Sequence, residues 1–337
     1  MTEDLFVRKL NLPLEQDSLC AFLTRHTLYW EDDIEAAFGI FDLDETLWGC
    51  GCAAGSLLKC FAVDESLRGQ NALGPLVSAL IQDRFSKGFY DLFVITRAHN
   101  EVLFANCGLH TVVRTKELVM MENRSDGPGN YARSFLRHGD ETAVVGAIVM
   151  NCDPFTLGHQ YLVKQAAGQC VVLHLFVVEE DRSFFPTADR LQLVQAGTAD
   201  LPNVRVHLSG HYMISSATFP KYFLKADEDA TSLQSELDIQ LFAESIAPVL
   251  HITRRFAGEE PFDAATARYN AAMKRLLPSH GISFVEIPRK TIGGSAISAS
   301  RVRTLLRTPG TFSQALSLVP PSTQAYLIQH KESYYGR

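Results

Sequence analysis

Residues 146–166 read GAIVMNCDPFTLGHQYLVKQA. A short apolar run ends in Asn-Cys-Asp-Pro and passes after a tight turn into an amphipathic pattern, which predicts a buried strand, a loop and a helix. The strand end of such a unit is where open α/β sheets take ligands. Thr156 and His159 are three apart at the predicted helix start and can face one ligand. Gly158 lets a backbone come close, and the helix N-terminus attracts anions such as a triphosphate. A lone histidine is commonly a satisfied structural residue, but this strand-loop-helix setting favours a ligand-facing one.

Outward from this unit, strand-like runs alternate with helical patterns. Val144–Met150, Val171–Val178, Val204–Leu208, Val249–Ile252 and Phe284–Ile287 are short and rich in β-branched residues, as strands buried on both faces should be. The alternation predicts a doubly wound parallel sheet for the second half of the chain. Towards the N-terminus, IFDLDETLWGCG reads as a strand, a turn at Asp44-Glu45 and a second strand, and LLKCFAV as a third. The stretch ENRSDGPGNYARSFLRHGDE, residues 122–141, is rich in turn formers and charge and contains one short helical piece at Tyr131–Arg137. It separates a domain expected at 1–138 from one at 139–337.

The chain has 337 residues, 46% hydrophobic and 20% charged, which excludes wholesale disorder and suits two domains. Thirty-one basic against 38 acidic residues leave a formal charge of −7, a poor footprint for nucleic acid. No apolar run approaches a bilayer-spanning length, and MTEDLFVRKL lacks the order of an export signal. The expectation is a cytoplasmic protein with no nucleic-acid or membrane partner. The seven scattered cysteines suit free thiols. Cys50 and Cys52 have no second ligand pair at metal spacing, so they are expected as core residues of a strand, and no metal site is assigned to the chain.

A second signal lies at Ile297–Arg303, ISASRVR, after the glycine-rich TIGGSA. Ser298 is a natural N-cap, and Arg303 lies one turn on from Ser300, so hydroxyls, amides and a guanidinium could converge on phosphate oxygens. Taken alone, an ordinary capped helix with solvated arginines explains it equally well. A competing signature, Asp42-Leu43-Asp44-Glu45-Thr46-Leu47, matches the D-x-D-x-T of haloacid dehalogenase-type phosphatases, and LFVIT ending at Thr96 mimics their second motif. The preceding strand is glycine-interrupted, Gly139-Asp140 lacks the further aspartate, and a hairpin turn accounts for Asp44-Glu45.

The two motifs together resemble the HxGH and ISxSxxR motifs of the adenylyl- and cytidylyltransferase superfamily, with Thr156 where the first histidine often stands. FFPTADRLQLV (Phe184–Val194) resembles that superfamily's arginine-bearing helix, and RRFAGEEPF (Arg254–Phe262) its strand-end loop near the nucleotide. The resemblance narrows to the citrate lyase ligases, also called acetate:citrate lyase ligases, on NCDPFTLGHQYLVKQAA, SFFPTADRL, ISSATFPKYFLK, RRFAGEEPFDAATARYN and AISASRVRTLL. It covers nearly the whole chain. In the first half, CFAVDESLRGQNALGPLVSALI and FVITRAHNEVLFANCGL resemble the Gcn5-related N-acetyltransferase fold, with Asn71 at the first loop glycine of the R-x-x-G-x-G/A pattern that begins at Arg68.

The resemblance implies an α/β chain, with a doubly wound parallel-sheet nucleotidylyltransferase domain preceded by an α+β acetyltransferase-like domain. It implies an AMP-forming acid-thiol ligase: acetate and ATP give acetyl-adenylate and pyrophosphate, and the thiol of the citrate lyase acyl-carrier prosthetic group takes the acetyl group, releasing AMP and activating citrate lyase. ATP and Mg2+ would be required. Catalytic roles fall to His159, Arg303 and Thr156, and nucleotide contacts to Asn151, Asp153, Pro154, Phe155, Gly158, Gly258, Ser298 and Ser300. Asp153 stands where the superfamily leads one to expect Asn. The first half is expected to bind the pantetheine-like arm of the carrier. An adenylyltransferase for a nucleotide-cofactor precursor is the alternative, and an N-acetyltransferase using acetyl-CoA without ATP is a further rival.

Overall fold

A computed structural model describes residues 5–67, 69–137, 144–179, 183–215, 219–225, 229–261 and 263–334. They pack as two units. One is drawn from Met1–Gly127 and Phe219–Leu237, the other from Pro128–Thr218 and Asp238–Arg337. Residues 138 and 139, where the sequence places the boundary, lie outside the described residues, as do Arg68, Gly139, Asp140 and Phe262. The helical piece expected at Tyr131–Arg137 instead spans Gly127–Arg133, and Tyr131 belongs to the second unit, where its hydroxyl donates to the Leu208 carbonyl at 2.6 Å.

The first unit is α+β. Its strands are β1 (Phe6–Lys9), β2 (Ala36–Phe41), β3 (Leu47–Ala54), β4 (Leu57–Val63), β5 (Phe93–Arg97), β6 (His110–Arg114) and β7 (Leu118–Glu122), in the order β1-β2-β3-β4-β5-β7-β6. Helices α1 (Leu12–Arg25), α2 (Leu73–Ser86) and α3 (Glu101–Ala105) complete it. All pairings are antiparallel except β4 with β5, which meet in parallel only at Leu57–Phe93 and Leu58–Val94. The hairpin expected at Asp44-Glu45 is present. Asp42 organises it, one carboxylate oxygen accepting from the Thr46 and Asp44 N–H groups at 2.8 and 3.0 Å and the other from the Trp48 indole at 2.8 Å. That aspartate is a turn residue with its lone pairs engaged. Cys50 and Cys52 are fully buried, and the seven cysteines are free.

The second unit carries a parallel sheet of β8 (Val145–Met150), β9 (Val172–Val177), β10 (Val204–Leu208), β11 (Ile252–Gly258) and β12 (Ser283–Ile287), ordered β10-β9-β8-β11-β12. Its order reverses after β10, which creates a switch point between β8 and β11 at their C-terminal ends. The helices are α4 (Gly127–Arg133), α5 (Leu157–Ala167), α6 (Thr187–Gly197), α7 (Ala230–Leu241), α8 (Ala264–Leu276), α9 (Ala299–Arg307), α10 (Phe312–Leu316) and α11 (Pro321–Gln329), and α7 begins in the segment that belongs to the first unit. A hairpin of β13 (Thr291–Ile292) and β14 (Ser295–Ala296) turns through Gly293 and Gly294, both at positive φ.

One strand differs from the sequence reading. Val249–Ile252 is expected as a strand, but β11 begins at Ile252 and runs through Thr253-Arg254-Arg255-Phe256-Ala257-Gly258. Two adjacent arginines hide it from any search for apolar runs, because their burial depends on partners elsewhere in the chain. The core between β8, β9 and α5 holds Ile148, Met150, Phe155, Val163, Leu173, Leu175 and Phe256. A second cluster joins Phe185, Ile297, Val302, Leu306, Leu318 and Leu327 with Leu157 packed against it. It fixes α9 against the start of α5. Among the described residues no helix is long and apolar enough to cross a membrane.

Candidate active site

The turn after β8 is built from reciprocal capping. Thr156 caps α5, its hydroxyl accepting from the His159 N–H at 3.3 Å, while the Thr156 N–H donates to His159 Nδ1 at 3.1 Å. This is a capping box with histidine in the position Glu or Gln usually holds. Phe155 is fully buried and stacks on the imidazole, ring centroids 5.9 Å apart. The pKa of His159 is lowered to about 4, chiefly by burial, with the guanidinium of Arg289 and more weakly that of Arg303 acting in the same direction against a hydrogen bond with the Pro154 carbonyl. At neutral pH the ring is uncharged. It offers hydrogen bonds, and the positive charge must come from neighbouring arginines and a lysine.

The second motif meets the first backbone to backbone. Ser298 caps α9 by accepting from the Arg301 N–H at 3.2 Å. A Cβ on Gly158 would lie 3.3 Å from the Ile297 carbonyl oxygen, so glycine permits the close approach of the two helix starts. Arg303 reaches across from α9, donating through Nη1 to the Asp153 carbonyl and through Nη2 to the Ser300 hydroxyl at 3.0 Å, with the Asp153 carboxylate 3.4 Å away.

Asn151, Thr156, Gly158, His159, Gly258, Ser298 and Ser300 line one cavity of about 600 Å3. Asp153, Pro154, Phe155 and Arg303 do not line it. The Asp153 carboxylate accepts from the N–H groups of Phe184 and Phe185 at 3.0 and 2.8 Å, so both of its oxygens are engaged by backbone donors. Phe155 is core, and Arg303 is engaged by Asp153 and Ser300.

Further residues complete the site, among them the arginine of the Phe184–Val194 segment. Arg190 on α6 is 0% exposed and donates to Asn151 O, Asn151 Oδ1, Val178 O, Thr187 Oγ1 and Phe185 O at 2.6–3.1 Å. It clamps the end of β8. Asn270 holds Gly258 in place through its carbonyl at 2.9 Å and reaches Glu286 at the same distance. Arg289 and Lys290 bring cations to the cavity wall. Arg289 pairs with Glu260 and donates to the Glu259 carbonyl at 2.7 Å, and the Lys290 ammonium stands 6.0 Å from the Tyr161 ring. The basic pair before TIGGSA was the available signal. Arg255, in the RRFAGEEPF segment, also lines the cavity.

The family described as citrate lyase ligase C-terminal domain matches residues 145–327. A [citrate [pro-3S]-lyase] ligase of Klebsiella pneumoniae is 41% identical over 323 residues, 94% of this chain and 94% of its own. That of Escherichia coli (strain K12) is 40% identical over 331 residues, 96% of this chain and 94% of its own. Among solved structures, a putative acyl-CoA N-acyltransferase from Klebsiella pneumoniae subsp. pneumoniae aligns with 35% of this chain and 96% of its own at 21% identity and a TM-score of 0.30. Full-length identity of this order, together with a family match that spans both capped helix starts, places the chain in the citrate lyase ligase family, and the protein is a ligase.

Proposed function

We propose that the protein acetylates the thiol of the citrate lyase acyl-carrier prosthetic group at the expense of ATP, through acetyl-adenylate, and so activates citrate lyase. The observation that carries the proposal is the meeting of two capped helix starts on one cavity, Thr156 and His159 on one side and Ser298 and Ser300 on the other. Such a pair of N-termini presents free N–H groups and hydroxyls to phosphate oxygens. The chemistry belongs to the half beginning at residue 139, and we place the protein in the cytoplasm.

In the first step an acetate oxygen forms a bond to the α-phosphorus as the bond to the β-phosphate oxygen breaks, and pyrophosphate leaves. Acetate is ionised at neutral pH, so no general base is needed. Catalysis is positioning and charge stabilisation. His159 and Thr156 donate hydrogen bonds to the triphosphate, the α9 start holds its far end through Ser298 and Ser300, and Arg303 keeps its planar fork beside Ser300. Asn151 and Gly258, at the ends of β8 and β11, flank the nucleotide. In the second step the carrier thiol, as thiolate, attacks the acetyl carbonyl and AMP leaves with both electrons of the broken bond. Among the described residues no three His, Cys, Asp or Glu side chains could cage a metal ion. Mg2+ would supply charge neutralisation at the phosphates.

The test is acetate-dependent exchange of labelled pyrophosphate into ATP, with and without the carrier. Exchange without carrier, and AMP release only with it, is the expected pattern. Exchange that requires a phosphorylated cofactor precursor in place of acetate would transfer the assignment to an adenylyltransferase.

A further inference from the structure

Arg255 is buried with one terminal nitrogen unmatched, at the wall of the candidate active site. Phe256 packs into the α5-side core, and alternation along β11 sends Arg255 to the opposite face of the sheet, where Phe242, Tyr269 and Asp238 meet it. Arg255 is 3% exposed, its guanidinium carbon lies 4.4 Å from the Phe242 ring centroid, and it hydrogen-bonds with the Tyr269 hydroxyl. Its Nη1 has no hydrogen-bond partner among the described residues. Asp238 lends only its field, since its carboxylate is taken by the Ile214 N–H at 2.6 Å and by Tyr269.

Arg190 shows what a structural buried arginine looks like in the same unit: its donors go to five protein acceptors. Arg255 has the same burial and lacks that satisfaction. A desolvated guanidinium is costly when its donors are unmatched, and a carboxylate oxygen is a strong acceptor for such a donor. Arg255 lines the same cavity as Thr156 and His159. It stands three residues, about 10 Å, short of the end of β11 at Gly258. Val149 and Met273 line the same cavity, apolar side chains suited to a short alkyl tail.

We propose that Arg255 is the carboxylate-binding residue for the acid substrate, Nη1 donating to one carboxylate oxygen while the other is left free to attack phosphorus. This assignment rests on the acyl-adenylate reading and names the part of the cavity that receives the acid. It places the acid deeper along the strands than the two phosphate-facing helix starts, so the acid and the triphosphate are held by different residues.

Two variants of the full chain test it, Arg255→Gln and Arg255→Lys, each checked for thermal unfolding. In pyrophosphate exchange, Arg255→Gln should raise the KM for acetate about 10- to 100-fold, the range one charge-assisted hydrogen bond supports, with the KM for ATP unchanged. Arg255→Lys, which keeps the charge, should show a smaller rise. In parallel, binding of 13C-acetate to protein without ATP is followed by NMR line broadening, expected for the unmodified chain and lost in Arg255→Gln. An unchanged acetate KM in a folded Arg255→Gln would overturn the assignment and leave the adenylate reading standing. Acetate binding that depends on Arg255 in a protein with no acetate-dependent exchange would support the site and defeat the adenylate reading. If Arg255→Gln does not fold, equal KM values for acetate in Arg255→Lys and the unmodified chain overturn the assignment.

Discussion

Both units contain a pair of parallel strands that could leave a gap for a ligand, and they treat it in opposite ways. In the first unit, β4 and β5 pair at two positions only, and the chain closes the opening with Tyr222. Its buried hydroxyl lies 3.5 Å from the Ile95 carbonyl and meets the Cys60 N–H, touching the backbones of both strands. The loop that bears the acetyltransferase-like pattern is crowded as well. Asn71 sits at φ +54 with its side-chain oxygen 3.2 Å from the Cβ position of Gly74 in the first turn of α2. In the second unit, β8 and β11 end at a cavity whose rim is made of helix caps and glycines. A gap at strand ends stays open to a ligand when local backbone motifs satisfy its walls, and it disappears when a distant aromatic residue supplies the partner.

The largest expected effect breaks the open site. His159→Ala should lower pyrophosphate exchange about 100- to 1000-fold, the usual loss for a preorganised charge-stabilising group. The accompanying stability loss should be about 1 kcal/mol, since only part of one helix cap is removed. Normal exchange in the folded variant would take His159 out of the phosphate site.

Tyr222→Ala breaks the closed one. Loss of a buried aromatic side chain predicts destabilisation of about 3 kcal/mol in a denaturant titration, with exchange kinetics of the folded protein unchanged and no CoA binding gained, because Asn71 still covers Gly74. Tight CoA binding by this variant, measured calorimetrically, would show that the first unit is a ligand site held shut.

Arg303→Lys keeps the charge and loses the fork that spans Asp153 and Ser300. Exchange should fall about 10-fold, against a near-neutral effect for the exposed Arg301→Lys. Equal effects would mean that the wrong face of α9 has been assigned. Asp42→Asn should lower stability only modestly through its turn hydrogen bonds and leave exchange intact, and abolished turnover there would revive a phosphatase role.

The gentlest test is acidification. The pKa of His159 is lowered to about 4 and that of His207 to about 3, burial being the main cause in each. Both rings are neutral in the folded chain at pH values where unfolded histidine, near 6.5, binds a proton. The unfolded state therefore takes up more protons, and stability should fall as pH drops from about 6.5 towards 4. His207, hydrogen-bonded to His174 at 2.9 Å, titrates apart from the active site. His207→Gln should flatten the acid limb of the melting curve without altering exchange, and an unchanged limb would show that other groups control it.

Local grammar made much of this legible in advance. The turn after Met150, the caps at Thr156 and Ser298, the hairpin at Asp44-Glu45 and most parallel strands are encoded within a few residues, because caps, turns and side-chain periodicity are short-range effects. The start of β11, the clamping role of Arg190 and the diversion of Asp153 to the amides of Phe184 and Phe185 are set by partners 30 or more residues away. The return of residues 219–237 to the first unit is of the same kind. A chain starting at residue 139 would leave that segment without its partners.

By itself the sequence determined that two anion-attracting helix starts exist, because each needs only a capping side chain, a glycine and a preceding strand or loop. Only the tertiary structure decided that they share one cavity, that Tyr222 closes the gap in the first unit, and that Arg255 is buried with an unmatched donor while Arg190 is fully satisfied. The two arginines look alike in sequence. What separates them is the set of carbonyls and carboxylates that packing brings within hydrogen-bond reach, and no local pattern carries that information.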